Sequence, residues 1–297
     1  MAGGKRLHGV LVVDKPSGVT SHDVVAQARR LYGVRAVGHA GTLDPMATGV
    51  LVLLFGEACK LSSYLTGQSK QYRAAIEFGR ATDTLDREGR TTEEKQLSPG
   101  WLDDDALARA LELEWRRSEQ VPPQVSAISL GGQRAHALVR AGKTVELAPR
   151  PVHVEHLTVV GREEYRIELE VGVSKGYYVR SLARDLGANL GVPAHLTELR
   201  RLASGNFSLA EAKSWPAIEP PALLDLATSA ERALPVTRLS PEGTRKARLG
   251  QQLDPDDAAS SAGTEEPSCW FSPEGEVVAI GCRTERGFRV LRGFSLA

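Results

Sequence analysis

The sequence predicts a chain of interleaved strands and helices with a small all-β tail, and three observations predict it. Runs rich in Val, Leu and Ile at residues 7–13, 50–55, 71–78, 152–160 and 165–173 are either continuously apolar or alternate with polar residues, the patterns of strands buried on two faces or on one. Between them lie segments with apolar residues at helical spacing: after Ser21, over 57–65, after Asp103-Asp104-Asp105, and over 179–186. After Pro235 only short strand signals remain, at 251–253, 269–271, 277–280 and 288–291, separated by turns such as Ser272-Pro273-Glu274-Gly275.

At 297 residues with 41% hydrophobic content, the chain is long enough for one large domain and one small one. The boundary is expected near Pro235, giving domains 1–235 and 236–297. No apolar run approaches the roughly 20 residues of a spanning helix, and no apolar region follows the first residues, so a cytoplasmic location is expected. Cys59, Cys269 and Cys282 are widely spaced and form no C-x-x-C pair, which indicates neither a disulfide framework nor a zinc site. Net charge is zero, yet residues 1–80 carry ten Lys/Arg against five Asp/Glu and residues 81–120 six against eleven. Folding can therefore gather a basic face for an anionic partner despite the neutral total. No phosphate-binding glycine loop, dinucleotide fingerprint, metalloprotease motif or nucleophile elbow occurs.

Taken in order, the first strand ends in the turn Asp14-Lys15-Pro16-Ser17-Gly18. A helix follows, with Ser21 as N-cap, Val24, Val25, Ala28 and Leu31 on one face, and Gly33 past its end. The stretch Gly38-His39-Ala40-Gly41-Thr42-Leu43-Asp44-Pro45-Met46-Ala47-Thr48-Gly49-Val50-Leu51 combines three glycines with an Asp-Pro step, so the backbone must turn tightly and leave the Asp44 carboxylate displayed. The apolar run 50–55 gives that loop a rigid floor. Composition alone favours a turn whose Asp bonds its own backbone, as most Asp-Pro turns do.

Downstream, Tyr72 sits near the start of a strand, and 79–99 reads as an ordered loop or hairpin. The helix after Asp103 has an acidic first turn, as the macrodipole prefers, and a core face of Leu107, Leu111 and Trp115. In the helix over 179–186, Val179, Leu182, Ala183 and Leu186 form the seam and Arg180 lies off it in the first turn. A cation at a helix start opposes the dipole, so Arg180 is expected to answer to a carboxylate elsewhere. Leu199-Arg200-Arg201 reads by itself as a solvated basic pair. A short helix is expected between Trp215 and Pro235, and residues 254–267, poor in apolar side chains, are expected to be mobile.

The loop at Asp44 resembles the active-site motif of the tRNA pseudouridine synthase B family, G-H-x-G-x-L-D-P-x-A-x-G-x-L, in which the Asp is catalytic. Other stretches are similar to that family's motifs. Residues 14–21 resemble D-K-P-x-G-x-T-S, Thr82-Asp83-Thr84-Leu85-Asp86 resembles T-D-T-x-D, residues 174–180 resemble S-K-G-x-Y-[IV]-R, and Leu199-Arg200-Arg201 resembles L-R-R. In the segment usually written P-P-x-Y-S-A-x-K, Val125 replaces the Tyr and Ser129 the Lys, and His136 stands where another Tyr is common.

The resemblance implies an α+β fold with a mixed, largely antiparallel central sheet flanked by helices, the active site in a cleft across it, and a small C-terminal PUA-like β-barrel that binds RNA. It implies a monomeric enzyme that turns the T-loop uridine (position 55) of tRNA into pseudouridine by flipping the base and moving the glycosidic bond from N1 to C5, without metal or other cofactor. Asp44, Tyr72 and Arg180 are its implied catalytic residues, Arg180 keeping the carboxylate ionised. His39 fills the vacated stack, Tyr178 and Leu199 wall the base pocket, and Lys15 contributes to binding. Two alternatives stand beside this: a non-catalytic RNA-binding or RNA-folding module, and a pseudouridine synthase for another RNA.

Overall fold

The computed structural model of the protein describes residues 7–126, 128–130, 132–135, 138, 145–217, 219–261 and 265–295. The chain folds as two units, Met1–Pro45 with Gly49–Gly67 and Ser204–Ala297, and Met46–Thr48 with Gln68–Ala203.

In the first unit, strand Gly9–Lys15 pairs antiparallel along its length with Thr48–Phe55 and parallel with Lys213–Ser214. Val37–Ala40 lies antiparallel to Thr48–Phe55. From Gly49 to Phe55 every residue of that strand is buried, which is why its sequence is continuously apolar and not alternating. Helix Ser21–Tyr32 buries Val24, Val25 and Ala28 and ends at Gly33 in the left-handed conformation, φ 64°. Its N-cap is Thr20, one residue before the expected Ser21: the Thr20 side chain accepts from the Asp23 N–H, and Asp23 reciprocates in a capping box.

The C-terminal strands form a five-stranded sheet in the order Ala258–Ser260, Val236–Leu239, Ser268–Phe271, Val277–Thr284, Gly287–Gly293, with Val236–Leu239 parallel to Ser268–Phe271 and the other pairs antiparallel. Cys269, Phe271, Val277 and Ile280 of this sheet share one apolar cluster with Val10, Val12, Val50, Val52 and Leu54, and with Leu226, Ala230 and Ala233 of helix Leu226–Ala233. A short helix was expected before Pro235, and this is it. Residues 254–260 are not the loose stretch that their composition suggested. Asp254 caps a turn over Pro255–Asp257, Lys246 of helix Pro241–Arg248 donates to both Asp254 and Asp257 at 2.7 Å, and Ala258–Ser260 pairs with Val236–Leu239. Charge and capping, not apolar burial, order this segment; residues 262–264 lie outside the described residues.

In the second unit, Lys70–Phe78 pairs antiparallel with Arg166–Val173, which pairs antiparallel with Val154–Arg162. Ala194–Ser204 lies on the other side of Lys70–Phe78. The alternation read in the sequence puts Ile167, Leu169, Val171 and Val173 in the core. Residues 79–99 hold the expected hairpin, Arg80–Thr82 against Thr91–Glu94. Helix Asp104–Trp115 is capped by Asp103 and buries Leu107, Ala110 and Glu114, whereas Trp115, expected in the core, is 49% exposed. Helix Val179–Leu190 starts at the N-cap Tyr178. The class is α+β, with mixed, largely antiparallel sheet flanked by helices, as the resemblance implied. Among the described residues no helix is long and apolar enough to cross a membrane.

Candidate active site

Asp44 is half-buried, and the peptide groups on either side of it are clamped. Before it, the Ser21 hydroxyl accepts from the Leu43 N–H at 2.9 Å and donates to the Leu43 carbonyl at 3.2 Å. After it, the Pro45 carbonyl accepts from the Gly18 N–H at 2.9 Å and from the Lys15 ammonium at 3.2 Å. Leu43 and Met46 are buried, so the loop is pinned by apolar side chains as well as by hydrogen bonds. Gly41 and Gly49 take φ values of 86° and 100°, which an L side chain resists, and this is what these two glycines of the loop supply. The shift of the helix cap to Thr20 is what releases the Ser21 hydroxyl for Leu43.

Lys15 is fully buried, not a surface lysine. Its ammonium also donates to the carbonyls of Pro16 at 2.8 Å and Val19 at 2.7 Å. A buried cation is tolerable only with such partners. Its part in the structure is to tie the turn after the first strand to the turn after Asp44. His39 is in strand Val37–Ala40, opposite Leu53, and not in the loop itself; its half-buried ring meets His22 edge-on with centroids 5.8 Å apart.

In the second unit, Tyr72 is half-buried on strand Lys70–Phe78, opposite Val171. Arg180, 6% exposed, has the carboxylate partner that its place at a helix start calls for: Asp86, with its Oδ2 3.7 Å from Nε. Two carbonyls complete the cradle, Thr84 O at 3.0 Å from Nη1 and Val125 O at 3.0 Å from Nη2. Val125 serves through its backbone, so the change of side chain there leaves this contact intact. The Ser129 side chain and His136 lie outside the described residues. Asp86 is itself fixed by the Thr84 hydroxyl at 2.7 Å and the Glu88 N–H at 3.1 Å. Between Thr84 and Asp86, Leu85 has φ 63°, the one positive value at a non-glycine residue among those described. That conformation costs roughly 1–2 kcal/mol, strain that the surrounding contacts must hold.

Tyr178 is half-buried and its ring packs on the Ile128, Ala135 and Val145 cluster, while Leu199 is buried on strand Ala194–Ser204. The pair after it is not solvated: Arg201 is 1% exposed, and Arg200 donates to the Thr48 hydroxyl at 3.2 Å. Burial, with Arg201 and Lys175 nearby, pushes the Lys70 ammonium down to about 8. No cluster of three or more His, Cys, Asp or Glu with metal-binding geometry occurs among the described residues.

Residues 29–179 match the TruB family pseudouridylate synthase N-terminal domain, and 180–232 the tRNA pseudouridylate synthase B C-terminal domain. The chain belongs to the TruB family. A tRNA pseudouridine synthase B of Paenarthrobacter aurescens is 42% identical over 287 residues, covering 92% of this chain and 91% of that one. One of Nocardia farcinica is 47% identical over 255 residues, 84% and 83% of the two chains. The protein is thus a pseudouridine synthase by family. Its fold is shared with a solved H/ACA RNP bound to a substrate RNA containing 2'-deoxyuridine, at a TM-score of 0.73 and 22% identity over 97% of this chain and 85% of that one. Sequence reasoning found the TruB loop and Arg180 but missed Ser21, Gly18, Asp86 and Val125 as supports. Ser21, Gly18 and Asp86 stand inside the matching motifs, so position in a motif was the available signal.

Proposed function

We propose that the protein isomerises the T-loop uridine of tRNA, position 55, to pseudouridine. The observation that carries this reading is the Asp44 loop, whose flanking residues Leu43 and Pro45 are each fixed by two hydrogen bonds while Asp44 itself is only half-buried. A group preorganised in this way meets a reacting atom without reorganisation cost. The reaction breaks C1'–N1 and makes C1'–C5; N1 gains a proton and C5 loses one, so it is redox-neutral and transfers no group. Asp44 supplies the anion that attacks or stabilises the sugar–base junction, with Arg180 as the second catalytic residue and Tyr72 stacking on the uracil. A paired or stacked uridine must first be flipped out, at about a few kcal/mol, and His39 fills the space it leaves. Tyr178 and Leu199 wall the base pocket, and Lys15 acts through the loop it holds. The small C-terminal sheet is the PUA-like module for RNA contact away from the reacting base, and the enzyme works as a cytoplasmic monomer.

The test is to incubate unmodified tRNA transcript with the protein and map pseudouridine by carbodiimide treatment and primer extension. A single stop at position 55 of the T-loop is expected. Stops elsewhere would assign the enzyme to another RNA position, and none at all would favour an RNA-binding module.

A further inference from the structure

The corner that carries Tyr178 and Arg180 is also held by Glu114, Arg117, Gln120 and Val121, which lie in none of the motifs that identify the family. Helix Val179–Leu190 has no side-chain cap of its own: its N-cap, Tyr178, makes no capping hydrogen bond. A helix start without a cap frays, and a cation in its first turn adds to the tendency. Gln120 fixes the N-cap residue itself. Its buried amide accepts from the Tyr178 N–H at 2.8 Å and donates to the Tyr178 carbonyl at 3.2 Å, so both backbone groups of this residue are read by one side chain.

One residue earlier, the Tyr177 hydroxyl donates to Glu114 at 2.8 Å. Glu114 is fully buried, and Arg117 Nε lies 2.8 Å from both of its oxygens. Arg117 continues to Asp185, at 3.7 Å, which also accepts from Arg184 Nε at 2.8 Å. The Val121 carbonyl accepts from the Ser181 hydroxyl at 2.9 Å and from Arg184 at 3.0 Å. Residues 114–125 therefore grip residues 177, 178, 180, 181 and 184 individually. A buried carboxylate and guanidinium add little net stability over an apolar pair of the same volume, so what this arrangement supplies is direction.

We propose that Gln120 and Glu114 are positioning residues of the reaction, which fix the Tyr177–Tyr178 corner and thereby set the orientation of Tyr178 and Arg180 towards the target nucleotide. The proposal rests on the reading of Tyr178 and Arg180 as site residues. Neither Gln120 nor Glu114 touches RNA in this account; each acts through the corner it holds.

The test uses the full-length protein with Gln120→Met, which keeps the length of the side chain and loses both hydrogen bonds, and Tyr177→Phe, which loses only the hydroxyl offered to Glu114. Single-turnover rate, RNA affinity and thermal midpoint are measured on unmodified tRNA. The expected result is a rate about 10- to 100-fold lower in each folded variant, with affinity within about threefold of wild type, because a small misplacement costs rate and not binding. A lower midpoint with an unchanged rate would reduce both residues to structural supports and overturn the proposal. If Gln120→Met does not fold, Tyr177→Phe decides. Arg180→Lys and Tyr178→Ala separate the two readings. If these turn over normally, the site assignment itself is wrong; if they are impaired while Tyr177→Phe is not, only the positioning proposal fails.

Discussion

The Asp44 loop and the Arg180 corner are held rigid by different physics. Around Asp44 the supports are short-range and directed at the backbone: Lys15, Gly18 and Ser21, all within residues 14–21, bond the peptide groups of Leu43 and Pro45. Around Arg180 they are side-chain charges and carbonyls drawn from residues 84–86, 114–125 and 185, with a strained Leu85 among them. A loop of Gly and Pro has few side chains to pack, so it is fixed by its peptide groups. A cation at a helix start opposes the dipole, so it is fixed by anions and carbonyls that the dipole cannot repel. The first arrangement joins two short motifs, 14–21 and 38–51, and the second draws on segments scattered along the chain.

The contrast can be broken by substitution. Among the supporting residues the largest effect is expected for Lys15→Met, which strips three carbonyls of their buried donor. Stability should fall by about 3 kcal/mol and the single-turnover rate of the folded fraction by about 100-fold. A fall in stability with a wild-type rate would mean that the loop does not need its clamp. Asp86→Asn should be milder, because the carbonyls of Thr84 and Val125 continue to hold Arg180. A rate loss of about tenfold and a stability loss of about 2 kcal/mol are expected by stopped assay and thermal melting.

The smallest effect on rate, with the opposite sign in stability, is expected for Lys70→Met. Lys70 donates to the Gln68 carbonyl, but burial, with Arg201 and Lys175 nearby, lowers its ammonium to about 8 from 10.5. The folded form thus resists the proton that the unfolded chain still binds. The penalty is full below about pH 8, fades as pH rises towards 10.5 and is absent above it. Lys70→Met should therefore be more stable than wild type by about 2–3 kcal/mol at pH 7, with most of that margin gone at pH 10. A margin that does not change with pH would show that Lys70 keeps its ordinary affinity for protons.

The turn at Asp44, the buried strand over 50–55 and the helix over 179–186 were legible because each is a local pattern: turn residues, an unbroken apolar run, a 3.6-residue seam. What was not legible depends on partners distant in sequence. Helical spacing puts Glu114 on the same face as Leu107 and Ala110, but a carboxylate is read as exposed until Arg117 and Tyr177 are seen to neutralise and bond it. Trp115, apolar enough to be read as core, falls outside that face. Thr20 and Ser21 are both good caps, and only the contact of Ser21 with Leu43 shows why the helix begins on Thr20. In the same way, Asp254 and Asp257 looked like solvated charges until Lys246 was found between them.

The most direct test of the central claim is tritium release from a T-arm RNA labelled at C5 of its uridines, with wild type and Asp44→Asn compared alongside their RNA affinities. Asn keeps the size of the side chain and its turn preference, so the clamps at Leu43 and Pro45 should still form, while the anion is gone. The account predicts release by wild type and none by Asp44→Asn, with affinities within about tenfold, or 1.4 kcal/mol. Normal release by Asp44→Asn, or none by wild type on any tRNA, would contradict it.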